Sequence, residues 1–454
     1  DGEILSHTLH AYIPIRDGYL SIRCNLWMSD WSTISLAAVL LLLGLNAHSH
    51  GHPSCRDKMA LWSNDHGPQL RGAVIYQRKY YEELEDEALG RPPAGPLFKA
   101  DDFTALAACG ANAVVVSHPG VFTEDPPYRI DQDLVAHLDH LLTMIERADL
   151  FAVLAIRTGP GRSEFTFFHQ EAGTWFGAEK LNDHLWSSRE AQDAWVAMWR
   201  FLANRYRSRS SVVGYELMVE PNSSDVGSDV RSDRINIQDP ARFHRRYGQT
   251  TYDWNQLHPR IVTAIRKIDP DTPILISGNG YGGVAWLPYI KGTKGKGIVH
   301  VAHSYEPPRY TQQETEAPLS YPGNIDIRGD GEPRPFDAKL INTLLRPVTR
   351  LVDSAKVPVA VTEIGTVRWA PGADLFLNDT MLALEELGTN YFVFEWSPDY
   401  APYTKDNNAF NFQLGTEPQS IRVDPHNTIL STVCRHWRNN VLRPSKFLPT
   451  KLEQ

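Results

Sequence analysis

Short apolar strands alternate with helices along most of this chain, and that order constrains the fold more than any other feature. The strands are rich in β-branched residues and continuous, as in a sheet buried on both faces. Eight strands are predicted, at residues 70–76, 112–117, 151–156, 212–219, 272–277, 297–302, 357–362 and 390–395. Helices are predicted at residues 101–109, 131–148, 188–205, 242–268, 336–355, 373–387 and 427–440.

This alternation predicts an α/β fold, a (β/α)8 TIM barrel that forms a single domain with long rim loops over residues 60–445. A doubly wound open sheet is the alternative, and it usually has a glycine-rich phosphate turn after its first strand. Here the first strand is followed by Gln77-Arg-Lys-Tyr-Tyr81, which has no glycine. The barrel is therefore the preferred fold.

Two predicted strands run directly into a glutamate. The first ends in Val219-Glu220-Pro221, where the proline stops the strand because it has no N–H to donate. The second ends in Glu363, followed by Ile364-Gly365. Both carboxylates would lie at the C-terminal rim of a barrel, where such folds carry their active sites. The pattern predicts a paired-carboxylate site of the kind that retaining glycosidases use.

Other polar and aromatic residues lie at predicted strand ends. Strand six ends in His303-Ser-Tyr305, and the alternation of a strand points His303 and Tyr305 in the same direction. Strand three ends in Arg157, and strand eight is followed by Trp396. A tryptophan on the rim would offer a flat face to a sugar ring.

These segments resemble the motifs of family 5 glycoside hydrolases, the cellulase-like members of clan A. The resemblance covers residues 65–440 and rests on Tyr215-Glu-Leu-Met-Val-Glu-Pro-Asn222, Val361-Thr-Glu-Ile-Gly365, His303-Ser-Tyr305, Trp396 and Arg71-Gly72. It implies that Glu220 is the acid/base and Glu363 the nucleophile. It also implies that His303 and Tyr305 hold the nucleophile and the substrate, and that Trp396 forms the floor of the subsite beside the cleaved bond.

The chain departs from the family pattern at two places. The asparagine that usually precedes the acid/base glutamate is Val219 here, and strand two lacks the usual arginine. Arg157 on the next strand could supply the charge, and Asn222 could supply the amide. Arg157 and Arg162 could equally fix the loop between them, and Glu216, within strand four, could be a structural ion pair or support the site.

The N-terminal region is predicted to be processed. Residues 34–45 form an apolar run that is too short to span a bilayer, and Ala47-His-Ser49 has the spacing that a signal peptidase accepts. Residues 28–49 are therefore predicted to be a signal peptide, and residues 1–27 an upstream segment outside the mature protein. The prediction is a secreted protein with no stable membrane insertion after cleavage. The alternative is a short hydrophobic helix packed on the domain.

Charge and cysteine content limit the possible partners. A net charge of -9 offers no basic patch for nucleic acid. None of the cysteines has metal-ligand spacing, so no zinc site is predicted. The two-glutamate mechanism needs neither a metal nor an organic cofactor, so none is predicted. The first and last helices of a closed barrel are neighbours, which makes a Cys109–Cys434 disulfide possible, with Cys55 as a competing partner.

The sequence thus predicts a glycosidase that hydrolyses O-glycosidic bonds with retention in a β-glucan, a mannan or a related glycoside. One alternative is a carbohydrate-binding barrel that has lost turnover, which the missing asparagine and arginine favour. Another is a retaining transglycosylase with the same residues. A metal-dependent barrel hydrolase would need several His or Asp ligands on strand ends, and too few are present.

Overall fold

The computed structural model describes residues 6–15, 18–27, 57–82, 92–169, 172–173, 176–227, 235–293, 296–316, 318–355, 357–398 and 408–447. The chain divides into two compact units, Asp1–Ser54 and Cys55–Gln454. In the first unit, strands Ser6–Ile15 and Gly18–Trp27 pair as an antiparallel hairpin. The predicted signal peptide at 28–49 lies outside the described residues. The processing of residues 1–27 stays a prediction.

The second unit contains a closed barrel of eight strands, and every neighbouring pair is parallel. The strands are β1 (Arg71–Tyr76), β2 (Ala113–His118), β3 (Phe151–Ile156), β4 (Val212–Glu216), β5 (Ile274–Ser277), β6 (Ile298–Ser304), β7 (Val359–Ile364) and β8 (Asn390–Val393). β8 pairs with β1 and so closes the ring. The predicted (β/α)8 barrel is confirmed.

Helices connect most of these strands. They are α1 (Ala100–Cys109), α2 (Gln132–Arg147), α3 (Arg189–Tyr206), α4 (Pro240–Tyr247), α5 (Trp254–Arg266), α6 (Pro308–Thr311), α7 (Ala338–Leu344), α8 (Arg346–Arg350), α9 (Ala373–Glu386), α10 (Thr428–Trp437) and α11 (Pro444–Phe447). Among the described residues, no helix has both the length and the apolar character needed to cross a bilayer.

Two predicted helices are interrupted in the structure. The helix predicted at 242–268 is two helices, because α4 ends at Tyr247 and the Asp253 side chain caps a new start at α5. The helix predicted at 336–355 is divided into α7, α8 and a π-helical turn, and Pro347 lies in the first turn of α8.

The apolar residues of the strands fill two layers. Alternate strand residues, Val74, Val115, Val153, Val213 and Val301 among them, pack inside the barrel. Their neighbours in sequence pack outward against the helices. Because both faces of every strand are buried, the strands read as continuous apolar runs.

A disulfide joins Cys109 at the end of α1 to Cys434 in α10. The two cysteines are 325 residues apart in sequence. They meet because barrel closure places the first and last helices side by side. The predicted pairing is confirmed, and the competing Cys55 lies outside the described residues.

Candidate active site

A cavity of about 650 Å³ opens at the C-terminal ends of the strands. Five of the predicted site residues line it: Arg157, Glu220, His303, Tyr305 and Glu363. Its walls also contain Phe167, Phe168, His169, Asp225, Tyr281, Glu306, Phe394 and Phe410. The barrel therefore brings residues from β3, β4, β6 and β7 to one place, although they are far apart in sequence.

Glu220 is held by the backbone beyond β4. The strand ends at Glu216, three residues earlier than the predicted Val219. Glu220 has φ of +52°, a left-handed conformation that is uncommon for a residue with a side chain. The buried guanidinium of Arg162 donates to Val219 O at 2.9 Å and to Glu220 O at 2.7 Å. These bonds fix the turn that aims the Glu220 carboxylate into the cavity.

Glu363 lies within β7, next to its last residue, and is 4% exposed. The Tyr305 hydroxyl donates to Glu363 Oε2 at 2.8 Å. Tyr305 follows the end of β6, the strand that pairs with β7. The contact between the predicted nucleophile and the predicted tyrosine therefore follows from the register of two neighbouring strands.

His303 links the two glutamates. Its Nδ1 lies 3.0 Å from Glu220 Oε1 and 3.3 Å from Glu363 Oε2. Its Nε2 lies 3.4 Å from Glu216 Oε1, on the opposite side of the ring. The facing oxygens of Glu220 and Glu363 and the nitrogen of His303 all lie within 4.8 Å of one another. One buried imidazole thus contacts three carboxylates.

The contacts of His303 with the carboxylates shift the pKa values of His303, Glu220 and Glu363. Burial alone would lower the pKa of His303, but Glu363, Glu216 and Glu220 raise it well above 6.5. Burial raises the pKa of Glu363 to about 7, and the charge of Glu220 adds to that shift. Burial would also raise the pKa of Glu220, but His303 and Arg157 lower it overall. The pair therefore retains one proton near neutral pH.

Arg157 places a fixed positive charge beside the pair. Its Nε donates to both carboxylate oxygens of Glu164, at 3.0 and 3.1 Å. Its guanidinium lies 3.7 Å from the ring centre of Phe167 and 4.6 Å from that of Tyr76. Burial opposes the charge, but Glu164 and Tyr76 outweigh it and raise the pKa of Arg157. Arg157 therefore lines the cavity from β3, beside the strand that lacks the expected arginine.

One trio in the described part of the chain has donor atoms close enough to hold a metal ion, namely Glu220, His303 and Glu363. The raised pKa of His303 favours its protonated form, in which Nδ1 donates to the carboxylates rather than binding a cation.

A family comparison matches residues 95–399 to the cellulases of glycosyl hydrolase family 5. The chain belongs to glycosyl hydrolase family 5. Endoglucanase C of Acetivibrio thermocellus is 24% identical over 239 residues, which are 51% of this chain and 58% of that protein. A beta-xylosidase of Phanerodontia chrysosporium is 26% identical over 145 residues, 32% of this chain and 24% of that protein. The match thus covers 58% of the length of the first of these relatives and 24% of the second.

Solved structures of this family have the same fold. Thermotoga maritima Cel5A in complex with cellobiose has a TM-score of 0.55 at 17% identity, covering 81% of this chain and 96% of that one. The same protein in complex with mannotriose has a TM-score of 0.54, also at 17% identity, covering 84% of this chain and 99% of that one. At this identity the likeness concerns the fold alone.

Two residues that the family resemblance suggested do not line the cavity. Asn222 is buried, and its amide is used by the protein itself. Its Oδ1 accepts from Trp186 Nε1 at 3.3 Å, and its Nδ2 donates to Thr166 O at 3.2 Å. Val219 packs in the barrel interior. That Asn222 replaces the missing family asparagine stays a prediction; its side chain is turned into the loop between β3 and α3 by these two hydrogen bonds.

Trp396 is the second residue outside the cavity lining. Its indole N–H donates to Asp102 O in α1 at 3.2 Å, and its ring packs on Phe412. β8 ends at Val393, so strand alternation no longer determines where the next residues point. Phe394, the first residue after β8, lines the cavity.

These two aromatic residues provide a direct test of that placement. We expect Phe394→Ala to raise KM or lower kcat/KM on a glycoside by about tenfold or more, because it removes an aromatic wall of the cavity. Trp396→Phe should lower Tm and leave KM near the wild-type value, because Trp396 packs between the barrel and α1. Kinetics and thermal unfolding of both variants check this. A rise in KM for Trp396→Phe alone would restore the original assignment.

Sequence reasoning missed a second polar group in the cavity wall. Asp225 Oδ1 lies 3.3 Å from His169 Nε2, and Asp225 Oδ2 accepts from the Tyr281 hydroxyl at 3.3 Å. These residues come from the loops after β3, β4 and β5. No local spacing signals their meeting, because loop conformation alone brings them together.

Proposed function

We propose that this protein is a retaining O-glycosidase that hydrolyses β-glycosidic bonds by a two-glutamate double displacement. One observation carries the proposal: oxygens of Glu220 and Glu363 approach within 4.8 Å in the wall of one cavity. Retaining enzymes hold their two carboxyl groups about 5–5.5 Å apart, whereas inverting enzymes leave roughly 6.5–9.5 Å for a water. The close approach of the two oxygens favours the retaining arrangement.

The roles follow from position in the barrel. Glu220, after β4, protonates the leaving oxygen, while Glu363, in β7, attacks the anomeric carbon and forms a glycosyl ester. Glu220 then removes a proton from water, which hydrolyses the ester. Tyr305 and His303 donate to Glu363 and stabilise its ionised form before attack. Arg157 adds positive charge where the pair is most negative.

The shared proton explains how both roles fit the electrostatics. The reaction needs one proton on the pair, and the two carboxyls titrate together, so the proton belongs to the pair rather than to either residue. Of the two carboxyls, Glu363 has the higher pKa. A leaving oxygen beside Glu220 accepts a hydrogen bond only from the protonated acid, so bound substrate favours the proton on Glu220.

The proposed substrate is a β-linked glucan, mannan or related glycoside. The family relatives support this: the named proteins include endoglucanases and a beta-xylosidase, and Cel5A was solved with cellobiose and with mannotriose. The aromatic walls formed by Phe167, Phe394 and Phe410 suit the flat faces of sugar rings. The mechanism uses neither a metal nor an organic cofactor. Secretion through the predicted signal peptide belongs to the same proposal.

The test is hydrolysis of a panel of aryl β-glycosides, soluble β-glucans and mannans, with the first-formed anomer followed by NMR. Release of a β-anomer that only later mutarotates supports the proposal. An α-anomer as first product would overturn retention. Transfer to an added sugar acceptor in place of water would identify a transglycosylase.

A carbohydrate-binding barrel without turnover is the second candidate. The specific observation in its favour is that Val219 is apolar and packs in the barrel interior, so it offers no amide to a sugar. The amide of Asn222 donates to Thr166 O instead of facing the cavity. Calorimetric titration with the panel oligosaccharides separates the two functions. Binding without cleavage of any activated aryl glycoside would favour the binding protein.

The pKa values also predict a pH profile. Activity needs the singly protonated pair, so kcat/KM should be bell-shaped. The alkaline limb should lie near pH 7, where Glu363 loses the last proton of the pair. The acid limb should lie below 4.5, the ordinary value that Glu220 falls beneath. Initial rates at low substrate concentration measure both limbs, and a profile that rises steadily through pH 8 would contradict this assignment.

A further inference from the structure

Glu216 is a buried acid that the proposed reaction does not use. It is the last residue of β4, four positions before Glu220, and is 1% exposed. Its Oε1 lies 3.4 Å from His303 Nε2 and accepts from the Thr362 hydroxyl at 3.3 Å. Its Oε2 has no hydrogen-bond partner among the described residues. A buried carboxylate oxygen without a partner destabilises a fold, so stability alone does not explain Glu216.

The surroundings of His303 suggest a different reason. Glu216 faces one ring nitrogen from β4, while Glu220 and Glu363 face the other from the loop after β4 and from β7. Arg157, directly after β3, also lines the cavity wall, together with Glu306 and the His169–Asp225 pair. An imidazole that donates to carboxylates on both sides carries hydrogens on both nitrogens.

We propose that Glu216 is a positioning residue that holds His303 as a doubly protonated imidazolium, whose Nδ1–H serves whichever of Glu220 and Glu363 is ionised. This inference rests on the proposed function and adds a role within the same site. The nearly equal distances of 3.0 and 3.3 Å from Nδ1 allow one donor to serve either acceptor.

The reaction requires such an exchange. In the first step the bond from the anomeric carbon to the leaving oxygen breaks, and a bond to a Glu363 oxygen forms. The proton of Glu220 moves to the leaving oxygen. Glu363 thus becomes a neutral ester while Glu220 becomes a carboxylate, so one negative charge moves between the two acceptors of Nδ1. The imidazolium stabilises that charge at both ends, and hydrolysis of the ester returns it.

The test compares Glu216→Gln with Thr362→Val. Glu216→Gln removes the negative charge and keeps the shape, which weakens proton binding throughout the cluster. We expect kcat to fall by about 10–100-fold and both limbs of the pH profile to move down by about one unit. Thr362→Val removes one hydrogen bond to the same carboxylate and leaves its charge, so its limbs should not move. Glu216→Asp keeps the charge and should return the limbs toward wild type.

If the two limbs of the pH profile do not move in Glu216→Gln, and its Tm falls as much as that of Thr362→Val, the proposal is overturned and Glu216 has only a structural role. If Glu216→Gln does not fold, NMR of the wild-type protein with 15N-labelled histidine tests the proposal. Its spectrum at about pH 8, where an ordinary imidazole is neutral, should contain two N–H signals that His303→Asn lacks. A single N–H signal would overturn the proposal.

The same kinetic series includes Glu220→Ala and Glu363→Ala. If either retains wild-type turnover, the proposed function fails and this inference fails with it. If both lose turnover while the limbs of Glu216→Gln stay in place, the inference alone fails.

Discussion

Glu363→Ala should lower kcat on an aryl β-glycoside by on the order of 10⁴-fold or more. The substitution removes the only group in the proposed mechanism that can form the glycosyl ester. Glu220→Ala should be similarly damaging on substrates with poor leaving groups, because those need a proton, and much less so on activated aryl glycosides. Folding should survive in both variants, since each removes a carboxyl that faces the cavity. Steady-state kinetics and circular dichroism measure these effects.

Azide separates the two roles. It should restore activity to Glu363→Ala with an α-glycosyl azide as product, and to Glu220→Ala with a β-glycosyl azide. Glu306→Gln is the matched control, since it removes a third carboxylate from the same cavity wall and should cost less than about tenfold. Glycosyl azides of the opposite anomeric form would exchange the roles of Glu220 and Glu363. Full activity in Glu363→Ala would end the two-glutamate mechanism.

The predictions that the structure confirms depend on the regular strands and on the closure of the barrel. An apolar run buried on both faces determines where a strand lies, and parallel strands of a barrel present their ends on one rim. Glu363 and His303, which lie within β7 and β6, could therefore be placed at one rim from the sequence alone, whereas Glu220 lies beyond the end of β4. The Cys109–Cys434 disulfide follows from the same closure.

The two predicted site residues outside the cavity lining lie just beyond strand ends. Trp396 was suggested by the family resemblance and Asn222 as a substitute for the missing amide, but the strands end at Val393 and at Glu216. Beyond those points, side-chain direction depends on hydrogen bonds with distant loops. Asn222, for example, is turned by Trp186 and Thr166. No local sequence pattern contains that information.

The positions of the buried charged residues in the loops could not be predicted from the sequence either. Glu164, the partner of Arg157, lies in the long loop after β3 and is 1% exposed. The sequence left open whether Arg162 fixes its loop or contacts substrate. Its guanidinium is completely buried and donates to Arg157 O, Val219 O and Glu220 O. Arg162 therefore orders the backbone on both sides of the site.

Arg162→Met should consequently reduce activity far more than a surface change would. Three buried carbonyls would lose their donor, and Glu220 would lose the contact that supports its left-handed backbone. A shift of about 1 Å in a catalytic group can cost about 100-fold, so we expect kcat to fall by about that factor. Burial lowers the pKa of Arg162 to about 9, because a buried guanidinium is poorly solvated. The substitution removes this desolvation penalty, so the free energy of unfolding should fall by only about 2–4 kcal/mol.

Arg266→Met is the matched control for this effect. Arg266 also donates to three backbone carbonyls, those of Asp269, Thr272 and Gly297, but these precede β5 and β6 at the opposite end of the barrel. We expect it to lower the free energy of unfolding comparably and to leave kcat within about twofold of wild type. Denaturant unfolding and kinetics on both variants make the comparison. Equal losses of kcat would mean that global destabilisation, rather than the position of Glu220, explains the effect of Arg162.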